Sequence, residues 1–449
     1  MMNIMRVKSM KVVLTVVLAV TLLLSACGGQ ANDSGNTLGS SGNSPQGSDN
    51  ERVKLTILST AQTQNPESGV EKEFAQAFMD IHPHVEIEFI SVPTNDAYAK
   101  IITMATSKQL PDIFVNTAEF YTQAYEMGIT ADLRELFDES FVNGFHPLAL
   151  EQTEIDGQMV FMPNFTIPMG LLYRADWFEE EGIAPPETWD EFMDAARRLT
   201  KDTNGDGIID RWGFGMVGTK NSSGGSRYVP MMRTFGVKEL YQDENGNWET
   251  EFDSPESIAF LKLFTDLVFE GLVPPGPLQT GYAEAVTMMA NEQIAMMITG
   301  PHTIGAVLAQ NPDLEGKLAG VPIPKQVEHA STLGLLGYSI YKDSPNKEIA
   351  AEYLKFTMEK ENAIRWTQVT GRLPSRIEPL QDPAINNDML SGFVKAMDYA
   401  YQIPNVPYYA KVYDYVGEAY QSVILGHETV EEAAARAANS IREEIDRNR

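Results

Sequence analysis

Cysteine occurs once in the 449-residue chain, at Cys27. A single thiol excludes an internal disulfide and any cysteine-rich zinc or iron–sulfur site. Positive charge is scarce as well: 34 Lys and Arg stand against 62 Asp and Glu, a formal net charge of −28. So acidic a body repels phosphate backbones, which excludes nucleic acid as a partner. Beyond the N-terminal region no run of 18 apolar residues occurs, so the body does not read as membrane-spanning. The six histidines (82, 84, 146, 302, 329 and 427) are scattered without metal-ligand spacing. A Ser nucleophile elbow, a Gly-rich phosphate loop and a His-Glu-x-x-His helix are all missing. Paired carboxylates for glycoside hydrolysis stay open, because their separation is a spatial quantity. An anchored glycan hydrolase is therefore one alternative reading.

What the chain does have is apolar residues, 43% of the total, enough to bury a sizeable core. Its length exceeds what one core usually organises, which implies two lobes. Residues 1–26 carry Arg6, Lys8 and Lys11 and no acid, then the apolar run from Val12 to Leu24. That pattern is a secretory signal peptide, too short to stay as a membrane span. It ends in Leu24-Ser25-Ala26-Cys27, which resembles a bacterial lipobox. There the Cys thiol is acylated and Cys27 becomes the mature N-terminus. Two or three acyl chains on one residue anchor stably, each buried CH₂ adding about 0.8 kcal/mol. Cleavage removes three positive charges, so −28 becomes −31. Residues 27–50 follow as the lipidated Cys and a Gly/Ser/Asn tether, with an r.m.s. reach of about 25–30 Å. The body is thus expected just off the outer face of a bacterial cell membrane, as a monomer.

From Val53 the pattern alternates. Val53–Leu58, Val85–Ile90 and Pro111–Val115 read as strands, and Val70, Phe74, Phe78 and Ile81 as one helix face between the first two. A β-α-β-α-β run builds an open, mostly parallel sheet with ligands at its strand ends. The loops 59–66 and 116–120 both follow such ends. Helices are expected from Thr188 through Leu199, over 256–269, 347–358, 361–370 and 429–445.

The most specific short motif is Asp202-Thr203-Asn204-Gly205-Asp206-Gly207-Ile208-Ile209-Asp210. It places oxygen side chains of Asp202, Asn204, Asp206 and Asp210 at calcium-loop positions 1, 3, 5 and 9. Ile208 would offer its carbonyl and Ile209 an apolar anchor. Position 12 is Gly213 where the loop family has a bidentate Glu. A structural Ca²⁺ is the expectation; an Asp/Asn/Gly turn is the plain alternative.

The order of segments then matters. After the βα lobe come Pro163-Asn164-Phe165, Gly170 to Phe178, Pro186 to Phe192, and Ala295 to His302. Gly337-Tyr338-Ser339-Ile340, Gly371-Arg372-Leu373-Pro374 and Ile403-Pro404-Asn405-Val406-Pro407 complete the series. This arrangement resembles the extracellular solute-binding proteins of ABC importers, in the sugar-binding family that includes maltose-binding protein. The resemblance implies an α/β, two-lobed periplasmic-binding-protein-like fold, each lobe a mostly parallel sheet flanked by helices, with the ligand cleft between lobes. It implies one lobe of residues 51–165 and 301–360 and another of 166–300 and 361–449, the chain crossing near 163–168, 300–303 and 358–362. It further implies a carbohydrate ligand, permease subunits as partners and no chemistry of its own. A non-sugar solute, such as a polyol phosphate or a peptide, is the second reading. Ligand contacts carried over by position are Gln64, Asn116, Glu119, Phe120, Asn164, Tyr228, His302, Tyr338, Arg372 and Tyr413. His302 stands where the family often has Trp, and so stacks less surface. For Tyr228 and Tyr413, core packing competes with a stacking role.

The anchor is directly testable: Cys27→Ala should move the protein from the membrane fraction to the soluble one, and continued retention would contradict the lipobox.

Overall fold

The computed structural model describes residues 52–449; the expected signal peptide, Cys27 and the expected tether lie outside the described residues. No helix among the described residues is long and apolar enough to cross a membrane.

Ten strands form the two sheets that organise the body. They are β1 (Val53–Ser59), β2 (Val85–Ser91), β3 (Ile113–Thr117), β4 (Met162–Thr166), β5 (Gly170–Arg174), β6 (Trp212–Phe214), β7 (Ile294–Thr299), β8 (Leu318–Val321), β9 (Leu336–Ile340) and β10 (Leu373–Pro374). The first lobe holds a six-stranded sheet in the order β10-β4-β9-β3-β1-β2, the second a four-stranded sheet in the order β8-β5-β7-β6. β1 pairs parallel with β2 and β3 because the helices Glu67–Ile81 and Ala97–Thr106 return the chain to the same edge each time. Strands that arrive from the other lobe enter from the opposite end. β9 therefore runs antiparallel to β3 and β4, and β5 antiparallel to β7 and β8. The sheets are mixed rather than mostly parallel.

The same pairings place the crossings. The chain passes from β4 to β5 through residues 167–169. It stays in the second lobe through the helix His302–Gln310 and β8, and returns to the first only before β9. The helix Lys360–Thr370 and β10 still belong to the first lobe, because Leu373 pairs with Thr166. The second and third crossings thus fall later than 300–303 and 358–362. The pairing of β8 with β5 holds the chain in the second lobe until β8 is complete.

The crossing segments pair with one another. Ile167 N–H donates to the Leu333 carbonyl (2.7 Å), Met169 N–H to that of Thr332 (3.3 Å), and Ser331–Thr332 runs parallel to Ala400–Tyr401. Gly334 adopts φ +55°, and a Cβ there would meet the Ile167 carbonyl at 3.0 Å, so the ribbon requires glycine.

Local sequence fixes the helix starts that frame the cleft. Thr188 caps Trp189–Leu199 in a capping box with Glu191, and Thr429 caps Val430–Arg447 in the same way with Glu432. Asn221 Oδ1 accepts from the N–H groups of Ser223 and Gly224 at the start of Ser222–Arg233. That helix crosses Tyr409–Ile424 so closely that a Cβ on Gly225 would lie 2.5 Å from the Tyr413 Cβ.

A cavity at the hinge between the lobes

Beside the crossing ribbon lies a cavity of about 550 Å³, floored by Ile167, Met169, Thr332 and Gly334. One wall is the first lobe's loop after β3. There Asn116 is buried, donating through Nδ2 to Ser339 Oγ (2.9 Å) and accepting from Thr117 N–H (2.9 Å). Phe120 is buried too, stacked on Tyr98 at 4.4 Å with the rings nearly parallel. Two inward anchors either side of it leave Glu119 exposed at the cavity. The Glu119 charge, after burial, helps push the Tyr98 phenol up to about 12.

The second lobe supplies Ser222 and Ser226 from one helix and Tyr409 and Tyr413 from the other. Tyr409 is held from behind: its hydroxyl donates to Glu239, which takes two hydrogen bonds from Arg233 at 2.8 Å. The Arg233 guanidinium also lies 3.7 Å over the Tyr401 ring. A bidentate pair of this kind, buried with all partners in place, fixes orientation as much as it adds stability. Over the cavity runs the Ile403–Pro407 segment, and Asn405 Nδ2 donates to Thr122 Oγ1 of the first lobe.

His302 closes the inner end. Burial, then the charges of Arg372 and Arg227, lower its pKa to about 3, so the imidazole is neutral at physiological pH. Its ring lies 5.5 Å from Tyr282, whose hydroxyl meets Thr303 Oγ1 at 3.1 Å. Arg372 donates through Nη2 to Gln64 Oε1 (3.1 Å) and pairs with Glu67 (3.0 Å).

Of the ten expected contacts, Glu119, His302 and Tyr413 line this cavity. Gln64 and Arg372 meet each other, and the Arg372 charge reaches His302. The other five are interior residues. Asn116 and Phe120 are buried under the loop. Tyr338 donates to the buried Glu71, whose carboxyl is pushed up chiefly by burial. Asn164 donates to Thr357 Oγ1 at 3.2 Å, and its Oδ1 has no partner. Both residues border a small separate void of about 20 Å³. Tyr228 is a correction: it is fully buried among Phe260, Phe264 and Tyr420 at 4.9–5.4 Å, in the second lobe's aromatic core. Ser222, Ser226, Thr332, Asn405 and Tyr409 went unassigned from sequence. The proline-flanked Asn405 carried the visible signal.

The 202–210 loop turns its oxygens onto its own backbone. Asp202 accepts from Gly205 and Gly207 N–H (2.6 and 2.7 Å), and these bonds, Gly207 first, hold its carboxyl below the usual range. Asp206 accepts from Ile208 N–H (2.8 Å), Asn204 Oδ1 from Asp206 N–H (2.9 Å), and Asp210 from Thr203 N–H (2.9 Å). Among the described residues no three His, Cys, Asp or Glu side chains converge on a metal-sized position. Ile209, expected as an apolar anchor, is 38% exposed.

Two lobes joined by a paired ribbon, with a hydroxyl- and aromatic-lined space at the hinge, define a solute-binding protein. The chain belongs to the bacterial extracellular solute-binding protein family, whose profile matches residues 60–364. It is similar to the melibiose/raffinose/stachyose-binding protein MelE of Bacillus subtilis, 24% identical over 88% of this chain and 92% of that one. It is likewise similar to the maltotriose-binding protein of Pyrococcus abyssi, 24% identical over 79% and 74%. Among solved structures it is similar to an ABC transporter solute-binding protein of Thermotoga lettingae bound with α-D-tagatose. That match is 25% identical with a TM-score of 0.73, covering 88% of this chain and all of that one. These relatives are binding proteins, and the chain is a binder, not an enzyme.

The Tyr228 hydroxyl is buried without a partner. An orphaned buried donor costs about 1–3 kcal/mol. Tyr228→Phe should therefore raise unfolding stability by about 1 kcal/mol in denaturant melts and leave ligand affinity unchanged; a loss of affinity would return Tyr228 to the cleft.

Proposed function

We propose that this protein captures an oligosaccharide in the hinge cavity and delivers it to the permease of an ABC importer. The observation that carries this reading is the make-up of the cavity: the Tyr409 and Tyr413 rings, the Glu119 carboxylate and the Ser222, Ser226 and Asn405 side chains around one space. Aromatic faces take the C–H side of a sugar ring, and a few placed polar groups take its hydroxyls. The carbohydrate names of the relatives support the same class. A lipid on Cys27 would keep the body within tether reach of the permease. Ligand bridging Glu119 on one lobe and Tyr413 on the other favours the closed form over the open one, which is all that capture requires.

Titration calorimetry with maltotriose, raffinose, melibiose and lactose tests the reading: heat of binding without product supports it, and turnover overturns it. Tyr413→Ala should weaken the best of these by about 1–3 kcal/mol, the usual cost of losing a stacking aromatic. Unchanged affinity would make Tyr413 a packing residue.

For the 202–210 loop we propose a structural Ca²⁺, supported by the spacing of three carboxylates and an amide on an exposed loop. Binding would have to turn these oxygens from N–H donors to the ion. Calcium should raise the melting temperature and Asp206→Asn should abolish that rise; identical melts in calcium and chelator would discard the site.

A further inference from the structure

The hinge cavity holds one kind of charge. Among the described residues that line it, Glu119 supplies the one carboxylate, and no Lys or Arg joins it. His302 adds no charge, because burial, then Arg372 and Arg227, lower its pKa to about 3. Those two arginines are themselves outside the lining. Glu119 is exposed, and among the described residues its carboxylate has no partner. Only its N–H is engaged, donating to Thr117 Oγ1 at 3.3 Å.

What stands opposite this carboxylate is aromatic. On the other lobe, burial and then the Glu239 and Glu119 charges raise the Tyr413 phenol. The Glu119 carboxylate is thus within electrostatic reach of a ring that lines the same space. Tyr409 and Tyr413 meet edge to face, 4.8 Å apart at 68°, and make a corner rather than a flat platform. We propose that this cleft selects an amino sugar, its ammonium held between the Glu119 carboxylate and the Tyr413 ring. The proposal names the class of sugar within the carbohydrate reading above and rests on that reading.

The physical case is one of compensation. Water solvates Glu119 in an open cleft, and a ligand that fills the cleft takes that water away. A neutral sugar can give the carboxylate hydroxyl hydrogens, yet it leaves a charge uncancelled in a drier space, which is costly. An ammonium cancels that charge and adds charge-assisted hydrogen bonds. The same cation gains from an aromatic face within about 6 Å. Neutral partners for the sugar hydroxyls are supplied separately by Ser222, Ser226, Thr332 and Asn405. Over longer range, 62 acidic against 34 basic residues draw cations toward the protein and repel anions.

Calorimetry of the purified protein with the glucosamine trimer and with cellotriose, the glucose trimer of the same linkage, tests this directly. The two differ only in carrying an ammonium or a hydroxyl at the second carbon of each ring. The glucosamine trimer should bind about tenfold tighter, the scale of one charge-assisted hydrogen bond. Its advantage should shrink as salt is raised and vanish at a pH that strips the ammonium of its proton. Glu119→Gln should cost the glucosamine trimer about tenfold more than it costs cellotriose, and Glu119→Asp should cost it less. Melting curves report whether the variants fold, and the wild-type comparison decides the question if they do not. Equal affinity for the two trimers, or Glu119→Gln weakening both alike, would overturn the ammonium site and leave the carbohydrate reading standing. So would binding of maltotriose or raffinose but of neither trimer. Binding of no sugar, charged or neutral, would overturn both.

Discussion

Backbone hydrogen bonds between the crossing segments are the constraint on which the rest depends. Chain passing between two lobes buries polar backbone that neither sheet can satisfy, and such groups must find partners. Here they find one another: Ile167 with Leu333, Met169 with Thr332, and Ser331–Thr332 beside Ala400–Tyr401. The resulting ribbon ties the two sheets together where the chain crosses between the lobes. Because it is the floor of the cavity, any change in lobe angle is felt first by the ligand space above it.

The walls are rigid for a different reason. Tyr409 hangs on Glu239, Glu239 on Arg233, and Arg233 on the Tyr401 ring beside the third crossing. One buried network thus ties a cavity wall to the hinge. On the first lobe, Asn116 and Phe120 do the equivalent work by pointing inward, so that Glu119 has nowhere to go but out. Residues expected to touch ligand turn out to position ones that line the cavity.

Electrostatics inside the cleft differ from those of the surface. Outside, acid outnumbers base nearly two to one. Within, His302 is kept neutral between Arg372 and Arg227, of which only Arg372 has a carboxylate partner.

Strand periodicity at 53–58 and 85–90, the helix faces and the helix starts at Thr188 and Thr429 were legible in the chain because they are local: the same few residues both signal and make the element. The order of motifs likewise pointed to the family, and Glu119, His302 and Tyr413 to the cavity. Three things were not local. Whether Tyr228 or Tyr413 faces a core or a cleft depends on which helix packs behind it, and the two have the same periodicity. Where the chain changes lobe depends on β8 pairing with β5, well over a hundred residues away. How far the His302 imidazole is depressed depends on the burial and the two arginines that folding brings near it. By itself the sequence determined the elements, the acidic charge and the family; the tertiary structure alone decided sheet direction, the crossings and the cavity, because long-range pairing and burial leave no mark at the residues they act on.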